Sequence, residues 1–309
     1  MKQLTEYIKE CLFDDMDKLD GKNGLESNAK QIEKEIKSWI CEHYFDSQSF
    51  AKSRAIKKSN LTVDMTTIPP TVNYNWPGHM PCIYVKAFTE SLCNNGMFQW
   101  GEMNIFDMNM DTISDIIGAP KKIKGHFIIH SGKLTSLEGA PEEIGGNFTV
   151  HSGTLKTLEG GPKVVGGDFS CARCPSLKSL NDAPKKVGGS FYCNYCPSLK
   201  TLEGGPEEVG GSFNCIDCPL LTSLKGAPKK VGGSFRVGPW LGLDCSLESL
   251  EGGPKEVGGS FDCSGCKLLK SLKGAPKVVG GRFNCAFCGV KFTEADVKKV
   301  SNVKYNIDC

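Results

Sequence analysis

The sequence predicts a mainly β fold: a parallel β solenoid of about ten rungs with an α-helical cap at its N-terminal end, α+β overall. Two observations predict it. From about residue 106 onward a unit of 21 or 22 residues recurs, and self-similarity at such a period is typical of repeat architectures. Each unit opens with alternating apolar and polar residues, the period of a strand. It continues with Gly and Pro, which exclude a long helix on the return path.

Composition and charge exclude several classes of function. The chain has 309 residues, with 37 Lys plus Arg, 35 Asp plus Glu and a formal net charge of +2. This balance disfavours electrostatic binding to nucleic acid or to an anionic membrane. No run reaches the ~18 consecutive apolar residues of a spanning helix, and the N-terminus lacks the apolar core of a signal peptide. We therefore expect a cytoplasmic protein whose thiols are mostly reduced.

The first 105 residues differ from the rest of the chain. Residues 1–60 place apolar residues at helical spacing in two stripes, Leu4, Ile8, Cys11, Leu12 and Ile32, Ile36, Trp39, Ile40. Because a bare solenoid end exposes apolar core and strand edges, we expect these helices to form a cap. A separate partner-binding or oligomerising module is the alternative. Residues 61–105 combine β-prone pieces with Pro69-Pro70 and predict an irregular β junction.

The repeat array occupies residues 106–292, and a four-residue insertion near 238–245 lengthens one of its units. An aromatic residue anchors each predicted rung: Phe106, Phe127, Phe148, Phe169, Phe191, Phe213, Phe235, Phe261, Phe283 and Tyr305. We expect the Gly-Gly pair before each strand to turn tightly with positive φ. Residues 293–309 predict a C-terminal cap helix, because Thr293 and Asp296 form a pattern like a capping box, followed by the last strand.

The repeated unit resembles a known group of solenoids. Residues 221–235 read Leu-Thr-Ser-Leu-Lys-Gly-Ala-Pro-Lys-Lys-Val-Gly-Gly-Ser-Phe, which looks like the leucine-rich-repeat-like arrays of bacteriophage and gut-bacterial genomes. The stretch Phe-x-Cys-x-x-Cys-x-x-Leu is similar to the core of leucine-rich repeats. The match covers about two thirds of the chain. The resemblance implies a solenoid and a phage or mobile-element setting in a bacterial host, and it carries no catalytic residue.

Five units contain Cys-x-x-Cys: Cys171/Cys174, Cys193/Cys196, Cys215/Cys218, Cys263/Cys266 and Cys285/Cys288. Their spacing fits a zinc site, so Cys171, Cys174, Cys193 and Cys196 are candidate ligands. The first Cys, however, shares the parity of Phe, and aliphatic residues replace it in other units. The sequence therefore favours reduced thiols packed in the core and no cofactor, with zinc binding and redox or disulfide chemistry as alternatives.

The outward strand positions do not repeat, whereas the Lys and Glu pairs of the return segments alternate in sign from rung to rung. Aromatic and Arg residues anchor protein interfaces. The candidate partner-binding residues are Arg173, Tyr192, Asn194, Tyr195, Asn214, Arg236 and, in the insertion, Trp240. The alternative for Trp240 is a plug inside the rod. His130 and His151 are expected one rung apart, where an exposed pair indicates polar surface more than a metal site.

No segment predicts an enzyme, because nucleophile elbows, phosphate loops and His-Glu-x-x-His are missing from the sequence. The sequence instead predicts a non-enzymatic scaffold that binds a host or phage protein, for example to inhibit or redirect a host defence protein. A virion or assembly component is the alternative. A nucleic-acid-binding or zinc-binding module ranks third.

Overall fold

The computed structural model describes residues 30, 32–34, 60–64, 69, 71–75, 93, 99–106, 110–113, 121–239 and 245–309. These residues form a mainly β, parallel β solenoid of about nine turns, whose strands belong to one continuous sheet. The predicted solenoid is therefore confirmed. None of the helices among these residues is long and apolar enough to cross a membrane.

Three strands precede the regular array: β1 (Asn60–Asp64), β2 (Thr71–Asn75) and β3 (Gln99–Phe106). β1 pairs with β2 in antiparallel orientation, and β2 pairs with β3 in parallel orientation. Of the β-prone pieces that the sequence shows in this region, 61–65 overlaps β1 and 98–100 overlaps the start of β3, whereas 83–87 lies outside the described residues. β2 follows two prolines and was not predicted. Val63 and Val72 stand opposite each other and belong to the same core as the array.

The first parallel ladder of the array contains the Phe strands. They are β5 (Phe127–Ser131), β7 (Phe148–Ser152), β9 (Phe169–Ser170), β11 (Phe191–Tyr192), β13 (Phe213–Ile216), β15 (Phe235–Gly238), β17 (Phe261–Asp262), β19 (Phe283–Asn284) and β21 (Ile307–Asp308). Each Phe lies opposite the Phe of the next rung, except Phe283, which lies opposite Ile307. The rings of Phe191 and Phe213 stack with centroids 5.3 Å apart and planes 6° apart. This stack forms the centre of the core.

A second parallel ladder occupies the segment that the sequence analysis assigned to a return path. Its strands are β4 (Lys122–Ile123), β6 (Glu143–Ile144), β8 (Val164–Val165), β10 (Lys186–Val187), β12 (Glu208–Val209), β14 (Lys230–Val231), β16 (Glu256–Val257), β18 (Val278–Val279) and β20 (Asn302–Val303). Strands of two residues are too short to show a period in the sequence. The longer β3 pairs with both ladders, through Trp100 to Ile123 and through Met103 to Phe127.

The predicted aromatic anchors are wrong at both ends of the array. Met103, rather than Phe106, stands in register with Phe127. Ile307, rather than Tyr305, stands in register with Phe283, and Tyr305 is 65% exposed. The last step is longer than a regular unit because helix α1 (Glu294–Val300) replaces the Gly-Ala-Pro segment there.

Helix α1 begins as the sequence predicts. Thr293 is its N-cap, and the Thr293 side chain accepts a hydrogen bond from the Asp296 N–H, while the Asp296 carboxylate accepts one from the Thr293 N–H. Its buried residue is Val297. In the predicted N-terminal cap, residues 30 and 32–34 are helical and Ile32 joins the core. The remainder of 1–60 lies outside the described residues except for residue 60, so the helical cap as a whole stays a prediction.

The Gly-Gly pairs do not have the positive φ that the sequence analysis expected. Positive φ belongs instead to the Gly of Gly-Ala-Pro, for example 90° at Gly226. The pairs lie where consecutive rungs approach most closely. A Cβ at Gly210 would stand 2.1 Å from the carbonyl oxygen of Gly188, and a Cβ at Gly211 would stand 2.5 Å from Ser190 Oγ. Glycine is required there because the backbones of neighbouring rungs leave no room for a side chain.

The residue before each Phe links consecutive rungs. This column comprises His126, Asn147, Asp168, Ser190, Ser212, Ser234, Ser260 and Arg282. Each of the first seven side chains accepts a hydrogen bond from the backbone N–H of the next member. The Ser190 N–H, for instance, donates to Asp168 Oδ1 over 2.6 Å. These side chains satisfy the backbone N–H groups that follow the Gly-Gly pairs, so their role is structural.

Candidate partner-binding face

Three of the predicted candidates form one row across consecutive strands. Tyr192 on β11, Asn214 on β13 and Arg236 on β15 stand opposite one another in register. Arg236 is exposed, and the other two are half-buried. Because neighbouring strands lie ~4.8 Å apart, the row is ~10 Å long. We call these three residues the strand row.

Beside the strand row, one corner of the rungs has left-handed backbone. Arg173 (φ 59°), Tyr195 (φ 58°), Asp217 (φ 53°), Gly265 (φ 76°) and Phe287 (φ 59°) occupy this position in five rungs, and we call them the left-handed corner. Each lies four residues after the Phe of its unit. The Tyr195 N–H donates to the Ile216 carbonyl of the next rung, so inter-rung hydrogen bonding continues at the corner.

Positive φ is unfavourable for most residues at the left-handed corner. Glycine adopts it freely, whereas a bulky residue with a Cβ there is an outlier, and the strain costs roughly 1 kcal/mol or more. Only Gly265 is the residue type that the backbone favours. The other four corner positions hold residues with a side chain, despite this cost in backbone strain.

Burial does not offset the strain at the outer members of the corner. Phe287 is 87% exposed. The Arg173 guanidinium is exposed and lies over the Tyr195 ring, 5.5 Å from its centroid, in a cation–π contact. Asp217, in contrast, is buried. Arg173 and Phe287 are therefore exposed, and Tyr195 is half-buried, on a backbone conformation that would suit glycine better.

The remaining candidates contribute less or lie outside the described residues. The Asn214 side-chain oxygen accepts the N–H of Ile216 over 3.1 Å and so closes the end of its own strand. Asn194 is half-buried, and its carbonyl accepts the Arg173 N–H. Trp240 lies outside the described residues, so neither its predicted surface role nor the plug alternative is tested.

The cysteines pack as the sequence favoured. The first Cys of each pair is buried in the core. The second Cys turns toward the preceding rung: the thiol of Cys196 donates to the Cys171 carbonyl over 3.4 Å, and that of Cys218 to the Cys193 carbonyl over 3.3 Å. One sulfur contact, between Cys245 and Cys266, does not follow from the Cys-x-x-Cys spacing, because Cys245 belongs to no such pair.

The zinc alternative finds little support in the described part of the chain. Cys171, Cys174, Cys193 and Cys196 do not come together as a ligand set, and no group of three or more His, Cys, Asp or Glu side chains there could hold a metal ion. Burial raises the pKa of Cys174 to about 11 and that of Cys193 well above its ordinary value. Zinc requires the deprotonated thiolate, so burial opposes ligation.

The second ladder presents paired charges, as the alternating Lys and Glu pairs predicted. Lys122 Nζ lies 2.7 Å from Glu143 Oε2, and Lys163 Nζ lies 3.0 Å from Glu142 Oε2. These side chains are at least half exposed, and exposed pairs contribute only ~0–1 kcal/mol each. The charges are largely neutralised by their neighbours along the rod, so this face is a poor candidate for a charged partner.

His130 and His151 stand one rung apart, as expected, and face each other on β5 and β7. Their rings stack with centroids 4.8 Å apart and planes 27° apart. Partial burial, and then the charge on His151, lower the pKa of His130 below 6.5. The folded protein therefore holds His130 in its neutral form at pH values where the unfolded chain would protonate it.

This pair should make stability depend on pH. The pKa of His130 is lower in the folded state, so its contribution is fully present above pH ~6.5 and is lost as pH falls through the folded pKa. We expect the melting temperature to fall between pH ~7 and pH ~5. His151→Asn should reduce this fall by removing the neighbouring charge. Thermal unfolding followed by circular dichroism across this range measures it, and an equal fall in the variant would contradict the assignment.

A comparison of the chain with protein-family models, with curated proteins and with solved structures finds no match.

Proposed function

We propose that the protein is a non-enzymatic, protein-binding scaffold whose partner contacts the left-handed corner and the adjoining strand row. One observation carries the proposal: Arg173, Tyr195 and Phe287 occupy a strained corner where glycine would be more stable, and they are not fully buried there. A solenoid requires regularity where its rungs stack. Irregular side chains that are kept despite a cost in backbone strain indicate selection for an interaction.

The exposed chemistry suits a protein partner. Arg173 and Arg236 supply positive charge, and Tyr192 and Tyr195 supply aromatic surface within about four rungs, a span of ~15 Å. Arg and Tyr are enriched among the residues that dominate binding energy in protein interfaces. We propose a partner surface that combines carboxylates with apolar side chains. A net charge of only +2 argues against nucleic acid as the main partner.

The biological setting rests on the resemblance of the repeated unit to the arrays of bacteriophage and gut-bacterial genomes. On that basis we propose a phage-encoded protein, acting in the bacterial cytoplasm, that inhibits or redirects a host defence protein. The same surface would serve a virion or assembly component. Affinity purification from the native host distinguishes the two, because an inhibitor recovers a stoichiometric host protein and a structural component recovers phage particles.

Glycine substitutions separate binding from stability at the left-handed corner. In Arg173→Gly with Tyr195→Gly, glycine relieves the positive-φ strain, so we expect the melting temperature to stay within a few degrees of wild type. The loss of two interface anchors should weaken binding to the recovered partner at least tenfold, since truncating an anchor costs ~2 kcal/mol or more. Titration calorimetry or surface plasmon resonance measures the affinity.

Two controls complete the experiment. Lys185→Ala with Lys186→Ala changes two exposed residues at the second ladder and should leave the affinity unchanged. Arg236→Ala tests the strand row without altering the corner. Unchanged affinity in the glycine variant would exclude the corner as the binding site. A large drop in its melting temperature would show that the Arg173 and Tyr195 side chains are structural.

A further inference from the structure

The unit that contains the insertion brings two sulfur atoms into direct contact. Cys245 Sγ lies 2.9 Å from Cys266 Sγ, and both thiols are free. Another sulfur–sulfur contact, between Cys285 and Cys309, is longer at 3.8 Å. A disulfide bond has a length of ~2.05 Å, so closing one between Cys245 and Cys266 requires the sulfur atoms to move by less than ~1 Å.

Cys266 departs from the pattern of the other second cysteines. In regular units that sulfur lies against a backbone carbonyl of the preceding rung, as Cys218 does against Cys193 and Cys288 against Cys263. Cys266 instead contacts the sulfur of Cys245. The preceding rung has Val237 in place of the first Cys, so Cys245 restores a sulfur atom to a unit that has lost its regular pair.

We propose that Cys245 and Cys266 form an oxidation site, at which a mild oxidant of the peroxide class closes a disulfide between the end of the insertion and the next rung. Cys245 is half-buried and Cys266 is buried, so peroxide reaches Cys245 first. The argument from the two sulfur atoms does not rest on the proposed partner-binding function. It also differs from the Cys-x-x-Cys pairs that the sequence singled out.

The reaction proceeds in two steps. The Cys245 thiolate attacks one oxygen of hydrogen peroxide: an S–O bond forms, the O–O bond breaks, and the released hydroxide takes up a proton to become water. Cys266 sulfur then attacks Cys245 sulfur: the S–S bond forms, the S–O bond breaks, and the leaving hydroxide combines with the Cys266 proton as a second water. Two thiols are oxidised and one peroxide is reduced.

The surroundings of the two thiols support this order of events. Hydrogen bonding with Cys266 lowers the pKa of Cys245, and the same contact, together with burial, raises the pKa of Cys266. The more accessible sulfur is therefore the one that ionises, as a nucleophile toward peroxide must. Burial raises the pKa of the core thiols Cys193 and Cys215, which keeps them protonated and inert.

Peptide mapping of the full-length protein tests the proposal. After treatment with hydrogen peroxide, alkylation of the remaining thiols and digestion with trypsin, we expect residues 237–255 to be linked to residues 256–267, with the loss of two hydrogen atoms. Fragmentation distinguishes Cys266 from Cys263 in the second peptide. Dithiothreitol should reverse the link. Cys309→Ser should leave it intact, and Cys245→Ser should abolish it.

Two results would overturn the proposal. One is full alkylation of both Cys245 and Cys266 after the peroxide treatment; the other is conversion of Cys245 to a sulfinic acid without any link. The wild-type map decides the question by itself, so a Cys245→Ser variant that misfolds does not affect the conclusion. Neither result bears on partner binding at the left-handed corner, which is measured separately under reducing conditions.

Discussion

Phe213→Ala is expected to lower the free energy of unfolding by about 4 kcal/mol, the range for removing a buried aromatic side chain from a close-packed core. Phe213 is fully buried, and its ring centroid lies 5.3 Å from that of Phe191 and 5.2 Å from that of Phe235. The substitution therefore opens a cavity that two stacking partners line. Equilibrium unfolding in urea, with the change in midpoint converted through the slope, measures the loss.

Phe287→Ala is the matched control for this change. Phe287 is a phenylalanine of the same array, but it is 87% exposed and has a φ of 59° that alanine would share. We expect its stability to change by less than ~0.5 kcal/mol. If Phe213→Ala were as mild as Phe287→Ala, the aromatic stack could not be the main contributor to the core.

Gly210→Ala should destabilise the protein by about 2–3 kcal/mol through steric conflict between rungs. The new Cβ would stand 2.1 Å from the Gly188 carbonyl oxygen, with the Gly188 carbonyl carbon at 3.0 Å. Backbone atoms cannot rotate away as a side chain can, so the two rungs must separate. The second ladder beside them then loses hydrogen bonding. Thermal and urea unfolding measure the effect.

Gly153→Ala provides the opposite case within the same array. No atom lies within 4 Å of a Cβ built at Gly153, and its φ is not positive. Alanine should be neutral or slightly stabilising there, because it reduces the freedom of the unfolded chain. Equal destabilisation by the two substitutions would show that the Gly-Gly pairs are not selected by the close approach of the rungs.

Much of the fold could be predicted from the sequence because stacking imposes a repeat that residue spacing shows directly. The alternation around Phe213 and Cys215 predicts inward side chains, and both are buried. The second ladder was missed because a strand of two residues has no period. The role of Gly210 was misjudged because a clash with the neighbouring rung is a contact between residues about one unit apart, which no local pattern shows.

The candidate site was predicted in part for the same reason. Regular spacing aligns Tyr192, Asn214 and Arg236 on consecutive rungs, so their row follows from the repeat. The left-handed corner does not, since no local sequence pattern around Tyr195 indicates its positive φ. The Cys245 contact with Cys266 was also missed, because Cys245 belongs to no Cys-x-x-Cys pair and follows an insertion that interrupts the regular spacing.

The near-identity of the rungs has a consequence for how the chain finds its native pairing. Between Phe169 and Phe235 the units are all 22 residues long, so a strand that pairs one unit too far along would bury the same Phe and meet the same glycines. The skipped unit would form an unpaired loop, and the entropic cost of closing a loop grows only with the logarithm of its length. Local contacts thus discriminate weakly among several alternative alignments. The 26-residue unit from Phe235 to Phe261 has no equivalent elsewhere in the array, and it defines an origin from which the neighbouring strands can align in a single order.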